Sequence, residues 1–435
     1  MTRIVFLTTT VSPHQLPWCA ELAAAHRDIP LWYVYIVKQR KERQALGWNE
    51  DLHREDFRVC HIDEEGVRAA LESSDVLVAD YRDVGLFIRR TEKHLITIYV
   101  SERWFKPAAG MLRLLSPRYF LMAWRFARLL KNDNRLYYFP VGVHAARDMV
   151  RLCGLMHGDL RCLFRAPEVE FERMPGGRIL SRVECAETCR GREEISRVER
   201  VETCRGRDGK YCLEKMRMWG YFVEEGRGKR EEGRSEGILR VLWVGRLLNL
   251  KRVDTIIRAV GELAISSQGI AVSDASTRFY TFCTVKHLHV STRSTRLNIS
   301  LDIYGAGPEE ARLKKMAAKY GDAIRFHPPV PIAEVRKLMR EHDVYVLSSN
   351  AHEGWGAVVN EALEEGMRVL GTCEAGASAT ILPRERLFEA GDAEALAGLL
   401  EKEAMGELLS CTIGEWTAKN AAASMEKFLS GAVRC

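Results

Sequence analysis

ILRVLWVGRLLNLKRVDTIIRAVGEL, residues 238–263, holds the pattern that decides the architecture. Its opening, Ile238–Gly245, is a nearly unbroken apolar run that stops at a glycine, as a strand buried on both faces does. Val253–Leu263 then spaces its apolar residues as a helix does. The turn between them carries Arg246, Lys251 and Arg252. The same rhythm continues downstream. Strands are predicted at Leu297–Gly305, Ala323–Pro328, Val344–Ser348 and Arg368–Gly371, and helices at Glu309–Tyr320, Ile332–Glu341 and Ala357–Gly366. Strands alternating with helices build a parallel sheet covered on both faces, a doubly wound α/β domain.

Working outward, the first 150 residues show the alternation again, less sharply. Candidate strands are Arg3–Thr9, Leu31–Val37, Asp75–Asp80, Leu95–Val100 and Arg135–Val141, with helical stretches near 14–26 and 109–131. The expected division is therefore an N-terminal domain over 1–236, a C-terminal domain over 237–412, and a final helix within 413–435 that packs back on the first half. A chain of 435 residues is long enough for two cores. With 46% hydrophobic and 29% charged residues it has the composition of a folded protein. No apolar run reaches the length of a membrane span, and Met1–Thr10 reads as a strand and turn rather than a secretion signal, so a cytoplasmic protein is expected. The twelve cysteines are scattered, with Cys153 and Cys283 in apolar settings, and read as reduced thiols. A net charge of +6 suits an anionic partner such as a diphosphate or a lipid headgroup.

Two stretches interrupt the pattern. The first, about 178–212, contains a duplication: Ser181–Arg192 (SRVECAETCRGR) returns as Ser196–Arg207 (SRVERVETCRGR). Fifteen of the 29 residues from Arg182 to Lys210 are charged, which predicts a solvated insertion. Cys185, Cys189, Cys204 and Cys212 lack the paired spacing of a zinc knuckle, so no metal is expected. The second, about 266–296, separates a helix from a strand by far more than the few residues such a connection needs.

The chemistry-bearing residues cluster in the C-terminal half. Gly245-Arg246 and Lys251 fall at the carboxyl end of a predicted strand, where doubly wound sheets bind ligands and where a guanidinium and an ammonium suit phosphate oxygens. Tyr304-Gly305-Ala306-Gly307-Pro308 has two glycines of a dinucleotide fingerprint but Glu310 where a third would stand, and reads as a tight turn. Glu353-Gly354-Trp355-Gly356-Ala357-Val358-Val359-Asn360-Glu361 joins a strand to a helix. Its glycines admit close backbone approach, and the helix start offers free amides to a diphosphate. Glu353 and Glu361 can accept hydrogen bonds from vicinal hydroxyls. The turn Glu374–Ala379 could add amides at the same sheet edge.

In this order, GR-x4-K, Y-G-x-G-P, EGWG-x4-E and the glycine-bearing turn resemble the C-terminal domain of retaining GT-B glycosyltransferases of family 4 (group 1, the E-x7-E type) over about residues 238–430. The resemblance implies a GT-B fold, two Rossmann-like doubly wound domains facing a cleft. It implies transfer of a sugar from a nucleoside-diphosphate donor to a glycan, lipid-linked or small-molecule acceptor, with retention of configuration and without a metal or other cofactor. Arg246 and Lys251 would hold the diphosphate, Glu361 the ribose and Glu353 the transferred sugar, which makes Glu353, Arg246 and Lys251 the catalytic candidates. Gly245, Gly354, Trp355, Gly356 and Ala357 complete the donor-binding set. His14, Glu102 and His144 are acceptor-side candidates from the N-terminal half.

Met111–Lys131 (MLRLLSPRYFLMAWRFARLLK) carries five basic residues and no acidic one among bulky apolar side chains. It reads either as an ordinary domain helix or as a basic amphipathic helix meeting an anionic membrane at its inner face. Two other functions stay open at the level of sequence: a nucleotide-sugar epimerase, and a non-catalytic binder of nucleotide sugars or glycans. Nucleic acid is not expected as a partner, since no finger or aromatic RNP pattern is present.

Overall fold

The computed structural model describes residues 3–12, 14–38, 56–107, 109–133, 135–158, 162, 168–171, 181–184, 237–268, 297–414 and 416–434. The N-terminal sheet is formed by β1 (Ile4–Thr8), β2 (Leu31–Tyr35), β3 (Arg58–His61), β4 (Val76–Ala79), β5 (Ile96–Ser101) and β6 (Leu136–Pro140). Helices α1 (Leu16–Ala25), α2 (Val67–Ser73), α3 (Val84–Glu92) and α4 (Pro117–Asn132) lie in its crossovers, and α5 (Val143–Met156) leaves β6. A separate antiparallel pair follows, β7 (Glu168–Phe171) with β8 (Ser181–Glu184).

The second sheet comprises β9 (Leu239–Val244), β10 (Ile299–Tyr304), β11 (Ile324–His327), β12 (Val344–Leu347), β13 (Arg368–Thr372) and β14 (Leu387–Phe388). Around it run α6 (Val253–Gln268), α7 (Glu310–Ala317), α8 (Ile332–Glu341), α9 (Val358–Glu364), α10 (Gly376–Ile381) and α11 (Ala393–Met405), and the last helix is α12 (Ala418–Arg434). Both sheets are wholly parallel, with strand orders β3-β2-β1-β4-β5-β6 and β11-β10-β9-β12-β13-β14. The order thus reverses between β1 and β4 and between β9 and β12. In such sheets the crevice outside the carboxyl ends at that reversal is where ligands bind.

Burial explains the strand sequences. β1 (IVFLT), β5 (ITIYVS) and β12 (VYVL) are buried at every position, so each needs apolar side chains on both faces. Pro117 opens α4, a position where its missing N–H is not needed. Asp83 and Asp392 cap α3 and α11 by accepting from the amides of Leu86 and Ala395. The helix predicted over Glu309–Tyr320 ends instead at Ala317. It tightens into a 3₁₀ segment through Ala323, in which Gly321 takes a positive φ of 58° that breaks the α-helical course.

Apolar packing does not divide at the domain boundary. One cluster runs from Ile4, Phe6 and Trp18 through Trp355, Val359 and Leu363 to Ala418, Met425 and Phe428. α12 packs against α1, and Phe428 meets Tyr137 edge-on with ring centres 4.6 Å apart. Two further clusters fill the outer side of each sheet. Most of the duplicated stretch, the four cysteines at 185, 189, 204 and 212, and the insertion at 266–296 beyond the end of α6 lie outside the described residues.

Candidate functional site

The carboxyl ends of β9 and β12 carry the C-terminal half of the site. Past β9 the backbone turns at Gly245 and Arg246, makes a 3₁₀ turn at Asn249–Lys251, and enters α6 through Arg252 in a left-handed conformation. The YGAGP turn after β10 packs directly beneath this segment. Leu247 N–H donates to the Ala306 carbonyl at 2.9 Å, and Glu309 N–H donates to the Leu247 carbonyl at 3.1 Å. A Cβ on Gly305 would stand 1.9 Å from the Gly245 carbonyl oxygen, and one on Gly307 would stand 2.4 Å from that of Leu247. These two glycines therefore serve close backbone approach, which supports the cationic turn from behind.

Arg246 is exposed, and among the described residues its guanidinium forms no hydrogen bond or ion pair. Arg252 is used structurally: its guanidinium bonds Asp254 at 3.1 Å and lies over Gly391. Lys251 reaches across to β12. Its Nζ pairs with Glu353 Oε2, the same oxygen that accepts from Ser349 Oγ at 2.8 Å, while Ser348 Oγ donates to the Lys251 carbonyl at 2.6 Å. Burial works to raise the Glu353 carboxyl, but Lys251 first, then Ser349 and Lys106, outweigh it and hold the group below its ordinary range. Glu353 is therefore an anion at neutral pH, fitted to accept hydrogen bonds.

The loop from Glu353 to Ala357 is fixed by packing. Gly356 has φ 87° and its missing Cβ would meet Leu347 at 2.9 Å. Trp355 is only 1% exposed, and its Nε1–H donates to Asn360 Oδ1 at 2.8 Å. The ring lies against Gly142 of the N-terminal domain, where any Cβ would come within 2.9 Å. The Trp355 side chain therefore belongs to the core between the domains, which leaves the backbone of this loop for the donor role expected of it. The turn Glu374–Ala379 stands at the same sheet edge. The amides of Gly376 and Ala377 donate to the carbonyls of Gly354 and Trp355, at 3.1 and 2.7 Å, so they brace the loop.

The N-terminal residues meet this loop from the opposite side. Asp80, after β4, accepts from Thr8 Oγ1, the Thr9 amide and Gln15 Nε2, which pins the β1–α1 turn. That turn sets His14 Nδ1 3.4 Å from Glu361 Oε1 in the first turn of α9. Burial, with Arg336 adding to it, outweighs the attraction of Glu361 and lowers the His14 pKa, so the ring is neutral at pH 7. Glu102, after β5, pairs with Lys106 at 2.9 Å and accepts from the Trp355 amide at 3.2 Å. Its carboxylate occupies the space a Gly354 Cβ would need, 2.2 Å away. His144, in the first turn of α5, bonds the Cys373 carbonyl at 3.0 Å. Beside it the Val143 amide donates to Thr380 Oγ1 at 3.2 Å.

His14, Glu102 and His144, the acceptor-side candidates, each reach the C-terminal domain, because the carboxyl ends of β1, β5 and β6 face those of the second sheet directly. Lys106, Ser348, Ser349 and Arg336 join the site without having been anticipated. Lys106 could have been found from its i, i+4 spacing to Glu102. Arg336 could not, since it comes from a separate helix, where it pairs with Glu364 at 2.7 Å.

Solved structures of similar shape include Anabaena Alr3699/HepE in complex with UDP, 13% identical, TM-score 0.53, with all of both chains covered. The lipopolysaccharide outer core galactosyltransferase WaaB is another, 11% identical, TM-score 0.54, covering 98% of this chain and 100% of that one. OtsA is a third, 10% identical, TM-score 0.52, covering 99% of each. The fold is GT-B. Residues 280–405 match the family described as "Glycosyl transferases group 1". That match contains Glu353, Gly354, Gly356 and Glu361, whereas Arg246 and Lys251 lie upstream of it. No curated protein sequence matches the chain. Among the described residues of this GT-B chain, no three histidine, cysteine or acidic side chains gather as a metal site, and no helix is long and apolar enough to cross a membrane.

Proposed function

We propose that the chain transfers a sugar from a nucleoside-diphosphate donor to a glycan, lipid-linked or small-molecule acceptor, as a retaining, metal-independent enzyme of glycosyltransferase family 4. The observation that carries this reading is the gathering of Arg246, the Lys251–Glu353 pair and the first turn of α9 at the reversal of strand order in the second sheet. The group 1 match over the same domain supports it.

In this reading the diphosphate lies against Arg246 and Lys251. As the glycosidic bond breaks, negative charge grows on the leaving phosphate oxygens and meets cations already in place. A preorganised donor of this kind lowers the barrier by roughly 3 kcal/mol. Lys251 holds Glu353 ionised, and that carboxylate accepts hydrogen bonds from the hydroxyls of the transferred sugar, which orients the anomeric carbon. Glu353 is a positioning anion, and no covalent step is assigned to it. Glu361 receives the ribose hydroxyls beside the neutral His14. The backbone of Gly245, Gly354, Gly356 and Ala357 borders the donor. The Trp355 amide donates to Glu102, which ties the donor loop to the N-terminal domain.

A thermal-shift panel of UDP-, GDP-, ADP- and dTDP-sugars, run on the wild type and on Arg246→Ala/Lys251→Ala, tests the reading. One nucleotide at about 100 times its Kd should stabilise the wild type by roughly 2.7 kcal/mol and leave the double variant unshifted. Transfer should survive a chelator. An interconverted free donor, with no acceptor product, would make the protein an epimerase, and tight binding without turnover would make it a binding module. A panel that stabilises neither protein removes the proposal's support.

A further inference from the structure

The outer edge of the N-terminal domain carries a second feature, separate from the donor loop. Between β5 and α4 a 3₁₀ segment, Gly110–Leu115, packs Met111 and Leu114 partly buried against the domain and fully buries none of its side chains. With Phe120 and Trp124 of α4 and Leu155 and Met156 at the end of α5 it walls an open groove of about 960 Å³, lined almost wholly by apolar side chains. Leu112 and Leu115 are 67% and 79% exposed, and Phe120, Leu121 and Trp124 are exposed as well. This concentration of large apolar side chains in water marks an interaction surface.

The helix explains how such a surface coexists with a stable fold. α4 buries Ala123, Phe126, Ala127 and Leu130, spaced i, i+3, i+4, i+7, against the domain. Tyr119, Met122 and Leu129 pack partly buried beside them, which leaves Phe120, Leu121 and Trp124 in excess of what the core uses. Arg118, Leu121, Arg125 and Arg128 recur at i, i+3, i+7 and i+10 as one exposed stripe, and Arg113 stands exposed on the 3₁₀ segment. Among the described residues Arg113, Arg118 and Arg125 have no ion-pair partner, while Arg128 lies 5.3 Å from the centre of the Trp124 ring. No acidic residue occurs from Met111 to Lys131 to neutralise them.

We propose that this groove and its arginine stripe bind the interfacial layer of an anionic lipid bilayer. An acyl chain enters the groove, and Arg113, Arg118 and Arg125 meet the headgroups. Charge complementarity selects this occupant. A second copy of the chain would set the same arginine stripe against itself across a two-fold contact. A bilayer surface supplies hydrocarbon and negative charge together, at the depth an amphipathic helix takes up. The position suits the cleft: Pro107, at the rim of the groove, follows Lys106, which pairs with Glu102 beside the Trp355 amide. On the reading given under Proposed function, a lipid seated there approaches from the side that carries Lys106 and Glu102.

Flotation of the full chain with vesicles, without any donor, reads this proposal independently of transfer. Vesicles of phosphatidylcholine mixed with phosphatidylglycerol should carry the protein at low salt, and phosphatidylcholine alone should not. Arg118→Ser/Arg125→Ser should weaken binding by roughly tenfold or more. Leu115→Ser/Trp124→Ser should abolish it with the thermal midpoint unchanged, because neither side chain is in the core. Failure to float with anionic vesicles, or flotation equal in wild type and both variants, overturns the proposal. So does a wild-type dimer that the Leu115/Trp124 variant turns into a monomer, which would make the groove a contact between copies.

Discussion

His144 shows how a single side chain that joins the two halves makes the fold sensitive to acid, since protonation buries a charge beside Arg103 and Arg147. It is half-buried, and burial first, then the neighbouring Arg103 and Arg147, push its pKa down to about 4 from an ordinary 6.5. The neutral ring donates Nε2–H to the Cys373 carbonyl. Because the folded value is the lower one, the contribution is intact above pH 6.5, is lost as pH falls towards about 4, and stays constant below that. In that window the unfolded chain binds a proton that the folded chain refuses. The expected loss is on the order of 2 kcal/mol. His144→Gln keeps a donor for the carbonyl and does not titrate. Urea unfolding at pH 7 and near pH 4.5 should show the wild type losing that much more stability than the variant. Equal losses would place the acid sensitivity elsewhere. Glu353 illustrates the opposite balance, an anion that stays charged because Lys251 outweighs its burial.

At the scale of elements, strongly periodic single segments were legible, whereas short or weakly patterned segments and features made by two segments were not. The strand at 239–244, the turn with Arg246 and Lys251, and the helix from Val253 follow from apolar periodicity and one glycine. Helix α10, GASATI, escaped because five small residues and a single isoleucine carry no apolar stripe to read, and β3, RVCH, because it is short and half polar. The roles of Trp355, Glu102 and His14 depend on which side chain of the other domain they face, and spacing along the chain holds no record of that. Glycines separate the two cases by experiment. Gly305 sits under the carbonyl of Gly245, a backbone atom that cannot rotate away, so Gly305→Ala should part β9 from β10 at the donor turn and cost about 3 kcal/mol or more. Gly398 is inside α11 with nothing within 4 Å of its missing Cβ, so Gly398→Ala should stabilise by roughly 0.5–1 kcal/mol. Chemical unfolding of the two variants checks both signs at once, and a stable Gly305→Ala would mean the YGAGP turn is looser than its contacts indicate.

For the whole molecule the decisive feature is that the domains share an apolar core. Domains joined only by a polar surface are expected to move and unfold separately. Here Trp355 rests on Gly142, with the ring of Trp416 5.6 Å away, and α12 carries Phe428 back onto Tyr137 and Phe139 of β6. The loop that brings Glu353 and Gly356 to the cleft is therefore held from behind by the same tryptophan that joins the halves. Two consequences come together. The wild type should unfold in one calorimetric transition with matching calorimetric and van't Hoff enthalpies. Trp355→Ala opens a cavity in the shared core, at a cost of about 3–5 kcal/mol, and should split that transition into two. It should also weaken nucleotide-sugar binding, although the indole itself touches no donor in the proposed site, because the loop loses its anchor. Trp355→Phe, which keeps most of the ring volume but drops the bond to Asn360, should hold a single transition. If both variants unfold in one step and bind donor as the wild type does, the halves are joined by α12 and not through the loop.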